Sequence, residues 1–132
     1  MSIPSVSETM TPSPLTVGQQ QPMSVAHQMM RSHKVRHLPV LEGGRIVGIV
    51  SDGDLHLIET LEDVDPDSVT VEEAMTPQPY CITPDTPLDQ VVQAMADNKY
   101  GCAVVAQGPK VLGILTTTDV CRAFAAVLRS RS

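Results

Sequence analysis

The amino-acid sequence predicts an α+β fold made of two pseudo-symmetric β-α-β-β-α repeats. The first observation behind this is a register: Gly48 to Leu55, "GIVSDGDL", returns as Gly113 to Val120, "GILTTTDV", an offset of 65 residues (113 − 48). The same offset carries Met10-Thr11-Pro12 onto Met75-Thr76-Pro77, Pro14 onto Pro79, Pro22 onto Pro87, Met30 onto Met95, Gly43 onto Gly108 and Asp54 onto Asp119. One register held through prolines, glycines and an aspartate marks an internal duplication. The second observation is that each half runs through the same order of short β-branched stretches and apolar residues at helical spacing.

Each half opens on Met-Thr-Pro and a short extended piece, Leu15 to Val17 in the first and Tyr80 to Ile82 in the second. Pro22 and Pro87 then mark a helix N-terminus, where a missing N–H costs nothing, and Thr86 is the expected N-cap of the second helix. The helix that follows carries one apolar face, Met23, Ala26 and Met30 in the first half and Leu88, Val91, Val92 and Met95 in the second. Next comes a two-stranded unit, "HLPVLEGGRIVGIV" and "CAVVAQGPKVLGIL", turned at Gly43-Gly44 and Gly108-Pro109. A second helix closes each half, with Leu55, Ile58 and Leu61 on one face in the first and Val120, Ala123, Phe124 and Val127 in the second. The expected organisation is therefore repeat 6–60, an acidic linker 61–70, and repeat 71–128. The linker lies within Glu59–Glu73, which holds seven of the fifteen acidic residues and lacks the glycine spacing of a calcium loop, so it reads as a solvated connector.

At 132 residues, 42% hydrophobic and 18% charged, the chain suits one domain or two small repeats sharing a core. It contains no run resembling a transmembrane span. Its first basic residue is Arg31, so no secretory signal is expected and the predicted location is cytoplasmic. The net charge of −6, with no Trp, two Tyr and one Phe, argues against nucleic acid as a partner. Cys81, Cys102 and Cys121 are too scattered for a disulfide framework or a zinc site and are expected to be buried apolar fillers. His27 and His56 lack a second ligand at metal spacing, and His27, at the position of Val92, is expected at a core edge. No nucleophile–base pair or nucleotide-hydrolysing phosphate loop is present, so neither catalysis nor a metal is expected.

The repeated turn carries the chemistry. Ser51 and Asp54, and again Thr116 and Asp119, have the spacing of a capping box, in which each side chain satisfies an orphan backbone N–H. A strand end meeting a helix start also directs N–H groups and a hydroxyl at a position suited to an anion. A carboxylate one turn on can accept from a pair of sugar hydroxyls, and its several lone-pair directions allow capping and binding together. The spacing does not by itself name the ligand.

From about Val6 to Leu128 the chain resembles a tandem pair of CBS domains, the Bateman module, in its Met-Thr-Pro start, its "HLPV" strand and the two "GIVSDGDL"/"GILTTTDV" turns. The resemblance implies two clefts formed by the repeats, an adenosine-containing ligand (AMP, ADP, ATP or S-adenosylmethionine), and a disc-like homodimer. It implies that Asp54 and Asp119 hold ribose, with Ser51, Thr116 and Thr117 near phosphate. It further implies that Thr16, Val17, His37, Leu38 and Pro39 flank the base in the first half, as Cys81, Ile82, Cys102, Ala103 and Val104 do in the second. Departures from the family pattern are Cys81 for Thr16, Val104 for Pro39, Gly53 within the first turn, and Asp52 beside its phosphate position.

"RSHKVRH", Arg31 to His37, clusters Arg31, His33, Lys34, Arg36 and His37 where the matching "ADNKYGC" of the second half offers only Lys99. Lys34 and Arg36 are the expected contacts of a phosphate tail, against the alternative of a solvated helix end. The function expected is a stand-alone regulatory sensor acting in trans on an unknown protein target. The competing reading is a structural or interaction protein with vestigial clefts, working through dimerisation and docking. The apolar residues of "DVCRAFAAVL" point to a two-fold interface in either case.

Overall fold

Short strands form where β-branched residues sit between turns, and helices form where the apolar spacing lengthens. A computed structural model describes residues 3–131. In chain order the elements are α1 (Val6–Thr9), β1 (Thr11–Pro12), β2 (Val17–Gly18), α2 (Met23–His33), β3 (His37–Glu42), β4 (Arg45–Ser51) and α3 (Asp52–Glu59), then α4 (Val71–Ala74), β5 (Thr76–Pro77), β6 (Cys81–Ile82), α5 (Leu88–Asn98), β7 (Cys102–Gln107), β8 (Lys110–Thr116) and α6 (Thr117–Ser130). They divide into two units: Leu15–Pro79, and the residues up to Pro14 together with those from Tyr80 onward.

In the 15–79 unit, β3 and β4 pair antiparallel, with His37 opposite Ser51 and Leu38 opposite Val50. Gly43 and Gly44 make their turn at φ of 58° and 81°, a region that favours glycine. β2 lies parallel to β3 and β5 antiparallel to β4, so the sheet order is β2-β3-β4-β5. The core is Val17, Met23, Ala26, Met30, Leu38, Val40, Val50, Leu55 and Val71. The other unit has sheet order β6-β7-β8-β1 over a core of Val6, Ile82, Val91, Met95, Ala103, Val105 and Leu115. The fold is α+β, and the two units are built alike.

One exchange separates the folded units from the sequence repeats. β1 and β5 are each other's counterparts by the 65-residue offset, yet β1 closes the sheet of the 80-onward unit and β5 closes that of the 15–79 unit. The motif glycines make room for this. A Cβ at Gly48 would meet Met75 Sδ at 2.5 Å and the Thr76 carbonyl oxygen at 2.9 Å; at Gly113 it would meet the Met10 sulfur, with the Thr11 carbonyl oxygen at 3.0 Å. Each Met-Thr-Pro strand thus lies directly over the glycine of the other half's turn motif. The repeat bounds 6–60 and 71–128 therefore do not delimit the folded units.

Several expectations are corrected. The four-residue helices α1 and α4 precede the Met-Thr-Pro strands in each half, adding to the β-α-β-β-α order. Thr86 does not cap α5: its Oγ1 accepts from the Thr83 N–H at 3.1 Å, and Pro87 occupies the cap with no side-chain bond. α3 ends at Glu59, so Leu61 lies beyond it and is 54% exposed, and Phe124 on α6 is 60% exposed. Of the cysteines only Cys102 is buried; Cys81 lies on the outward side of a two-residue strand, and Cys121 on the exposed side of α6. His27, by contrast, is half-buried as a core-edge residue should be, its Nδ1 against the Glu59 carboxylate. The end of the acidic connector is fastened: Met23 donates to the Val69 carbonyl at 2.7 Å, and Val71 and Glu72 donate to the carbonyls of Gln21 and Gln19. Among the described residues, no helix is long and apolar enough to cross a membrane.

Candidate functional site

Both turns are capping boxes. Ser51, extended at φ −112°, receives the Asp54 N–H on its hydroxyl at 3.1 Å and donates its own N–H to Asp54 Oδ2 at 3.0 Å. Thr116, at φ −101°, receives the Asp119 N–H at 3.2 Å and donates its N–H to Asp119 Oδ2 at 2.9 Å. Each carboxylate also sits in the first turn of its helix, where the dipole favours negative charge. The next residue is tied in as well: the Asp52 N–H donates to the Arg36 carbonyl at 2.8 Å and the Thr117 N–H to the Gly101 carbonyl at 3.3 Å.

The carboxylates differ in what they have left to offer. Asp54 is half-buried, and its Oδ1 has no hydrogen bond among the described residues. Asp119 is only 5% exposed, and both of its oxygens are engaged. Thr11 donates its hydroxyl to Oδ1 at 3.1 Å and lies 3.3 Å from Oδ2; the Thr116 hydroxyl reaches Oδ2 at 3.1 Å; and Arg122 Nη1 stands 3.7 Å from Oδ1. Thr11 and Arg122 are the neighbours of Asp119 that motif spacing missed. The only signal in the sequence was the recurrence of Met-Thr-Pro itself.

Around Asp54, His37 enters from β3 directly across from Ser51. Burial pushes its imidazole below its ordinary pKa, Asp54 pulls it back up, Arg36 pushes it down, and Asp52 again raises it. The net direction favours a neutral ring at neutral pH, which can donate at one nitrogen and accept at the other. Thr16 is half-buried beside β2, while Val17 and Leu38 belong to the core cluster and so offer a ligand mainly their backbone. Pro39 is buried outside that cluster. Arg31, Lys34 and Arg36, with His27, Met30, Val35 and Asp52, line an open depression of about 290 Å3. Lys34 is the left-handed C-cap of α2 at φ 56°, its N–H bonded to the Met30 carbonyl.

In the other unit, Cys102 takes the place of His37, opposite Thr116. Burial and the neighbouring Cys81 push its thiol up to about 12, and burial also raises the thiol of Cys81, so both stay protonated at neutral pH. Ile82, Ala103 and Val104 are buried. Tyr80 and Tyr100 stack with ring centroids 4.9 Å apart. The Thr117 hydroxyl donates to the Gly101 carbonyl at 3.2 Å. No group of three metal-ligating side chains comes together among the described residues.

The structure thus brings Ser51, Asp54 and His37 together in one unit, with Lys34 and Arg36 at an adjacent depression, and Thr116, Asp119 and Cys102 together in the other.

Comparison with known proteins places these features in a family. The model of the CBS domain matches residues 6–57 and again 71–126. Among curated relatives, the zinc metalloprotease MJ0392 of Methanocaldococcus jannaschii is 29% identical over 117 residues, covering 89% of this chain and 31% of the relative. An inosine-5'-monophosphate dehydrogenase of Korarchaeum cryptofilum is 29% identical over 107 residues, covering 80% of this chain and 21% of the relative. The chain therefore spans less than a third of the length of either. Among solved structures, CBSX2 of Arabidopsis thaliana in complex with AMP is 26% identical with a TM-score of 0.83, covering 93% of this chain and 97% of that one. The CBS domain pair of protein MJ0100, in complex with 5'-methylthioadenosine and S-adenosyl-L-methionine, is 25% identical with a TM-score of 0.85, covering 95% and 98%.

Proposed function

We propose that this chain, which belongs to the CBS-domain family, is a regulatory module that binds an adenosine-containing ligand (AMP, ADP, ATP or S-adenosylmethionine) and acts in trans on a partner protein. The observation that carries the reading is the repeated Ser/Thr-x-x-Asp turn, above all Asp54, which caps its helix with Oδ2 and keeps Oδ1 for a ligand. A ribose diol suits that oxygen, and the Ser51 end of α3 suits phosphate. The neighbouring families of ligand support the same class, since CBSX2 was solved with AMP and the MJ0100 pair with two adenosine thioethers or sulfoniums. Signalling then follows from ligand stabilising one arrangement of the module over another.

The module is read as non-catalytic, its Cys81 and Cys102 thiols being held protonated. Its three free thiols suit the reducing cytoplasm. Phe124 and Leu128, exposed on α6, support assembly as a homodimer.

Thermal unfolding against AMP, ADP, ATP and S-adenosylmethionine tests the reading. A ligand at about 100 times its dissociation constant adds roughly 2.7 kcal/mol to the folded state. A rise in Tm with at least one ligand, lost in Asp54→Ala or Asp119→Ala, is the expected result. No rise with any of the four leaves the turns as helix caps and favours an interaction protein.

A further inference from the structure

The two turns share a backbone and differ in whether their binding groups are spare, and the difference runs in one direction at every position compared. In the 80-onward unit Asp119 and Arg122 line an open depression of about 360 Å3 with Glu8 and Thr9, but the polar groups there are engaged by the chain itself. Asp119 takes up the Thr11 hydroxyl and Arg122, the Thr117 hydroxyl is spent on the Gly101 carbonyl, and Tyr80 and Tyr100 stack on one another. In the 15–79 unit the counterparts are unspent. Among the described residues Asp54 Oδ1 has no hydrogen-bond partner and the Thr76 hydroxyl makes no bond to Asp54, and the positions of the tyrosine pair are Leu15 and Val35, 37% and 36% exposed.

Charge follows the same division. Arg31, Lys34 and Arg36 line the depression of about 290 Å3 and form no ion pair among the described residues. Their counterparts at the 65-residue offset are Ala96, Lys99 and Gly101. Three cationic groups left without carboxylate partners among the described residues, in a chain of net charge −6, give this depression a local positive potential. Apolar surface from Met30 and Val35 lies in the same depression.

We propose that the 15–79 unit holds the chain's one working nucleotide site and selects a nucleoside polyphosphate, while in the other unit the corresponding carboxylate, Asp119, is already engaged by the chain's own Thr11, Thr116 and Arg122. Asp54 takes the ribose diol, the Ser51 turn and His37 lie beside the first phosphate, and Lys34, Arg36 and Arg31 receive the phosphate tail. Arg36 can bind an oxyanion through two N–H groups at once, whereas Lys34 acts as a point charge. Asp52, on the rim, is repelled by a tail that passes too close and so sets its path toward the cations. A ligand with a sulfonium tail brings positive charge to this cluster and is disfavoured.

This inference rests on the adenosine reading above, and one experiment separates the two. Isothermal titration of the full chain with adenosine, AMP, ADP, ATP and S-adenosylmethionine, each at low and at 0.3 M added salt (a Debye length of roughly 6 Å), gives stoichiometry and rank together. The expected result is one site per chain, affinity rising with each added phosphate, S-adenosylmethionine weaker than ATP, and a salt dependence for ATP that adenosine lacks. Asp54→Asn abolishes binding, and Asp119→Asn keeps one site. Lys34→Gln with Arg36→Gln, both at exposed positions, weakens ATP by about ten- to thirtyfold and leaves adenosine unchanged. Two sites per chain, loss of binding in Asp119→Asn alone, or an affinity indifferent to phosphate number overturns this assignment while leaving the adenosine reading standing. Silence from all five ligands overturns both.

Discussion

Thr11 lies 108 residues from Asp119 in sequence, yet its hydroxyl is the donor that completes the buried carboxylate. Thr11→Val keeps the shape and the strand preference and removes only the donor. Asp119 Oδ1 is then left with Arg122 Nη1 at 3.7 Å, from a side chain that is 75% exposed. A hydrogen bond to a charged group contributes about 1.5–3 kcal/mol, and because Thr11 itself is exposed, water recovers part of it, which sets the expected loss at about 1–2 kcal/mol. The assay is urea unfolding followed by tyrosine fluorescence. The chain has no Trp, and both of its tyrosines, Tyr80 and Tyr100, lie in the unit that holds Asp119. With a slope of about 1–3 kcal/mol per molar urea, the midpoint falls by roughly 0.3–2 M. Thr76→Val, whose hydroxyl makes no bond to Asp54, changes the circular-dichroism midpoint by less than about 0.5 kcal/mol equivalent. Equal losses in the two variants, or none in Thr11→Val, would refute the claim that the two turns differ.

Three further outcomes follow from the same geometry. Gly48→Ala places a Cβ 2.9 Å from the Thr76 carbonyl oxygen, and since that atom is backbone, the strand must shift; the expected destabilisation is about 1–3 kcal/mol by urea unfolding, whereas Gly53→Ala, whose nearest atom is Ser51 Oγ at 3.8 Å, does not destabilise. His37 has a folded pKa below its ordinary 6.5, so the unfolded state binds more protons as pH falls through that value; stability therefore declines on acidification below about pH 6.5, and His37→Gln removes that part of the slope. An unchanged slope in the variant would contradict the assignment. With a thiol-specific disulfide reagent at pH 8, exposed Cys121 reacts first, Cys81 more slowly because burial raises its thiol, and Cys102 only on unfolding; a native Cys102 labelled as fast as Cys121 would contradict its burial.

What was legible in the sequence is what local pattern encodes. The 65-residue register carried the duplication, and the spacing of Met23, Ala26 and Met30 located a helix face that is buried in full. Ser51 with Asp54 and Thr116 with Asp119 announced capping boxes because a cap involves residues only three apart. The exchange of β1 and β5 was not legible: a two-residue strand has too few side chains to show an alternation, and its partner lies about a hundred residues away or in the other half. α1 and α4, at four residues each, are likewise shorter than one helical period can reveal. A signal was nonetheless present, since Met10 and Gly113, and Met75 and Gly48, recur as pairs and each glycine yields the space its methionine takes. Leu61 was misplaced because α3 stops a turn earlier than its apolar spacing suggested. The inequality of Asp54 and Asp119 could not be read from motifs that match, because it is set by Thr11 and Arg122.

The most direct test of the central claim, that the Ser51–Asp54 turn holds an adenosine-containing ligand, is to follow backbone amide resonances of the intact protein during titration with ATP. The account predicts progressive shifts at Ser51, Asp52 and Asp54, and at Arg36 and His37 beside them, while the amides of Phe124 to Leu128 move little. Saturating ATP that leaves the Ser51–Asp54 amides in place would contradict it.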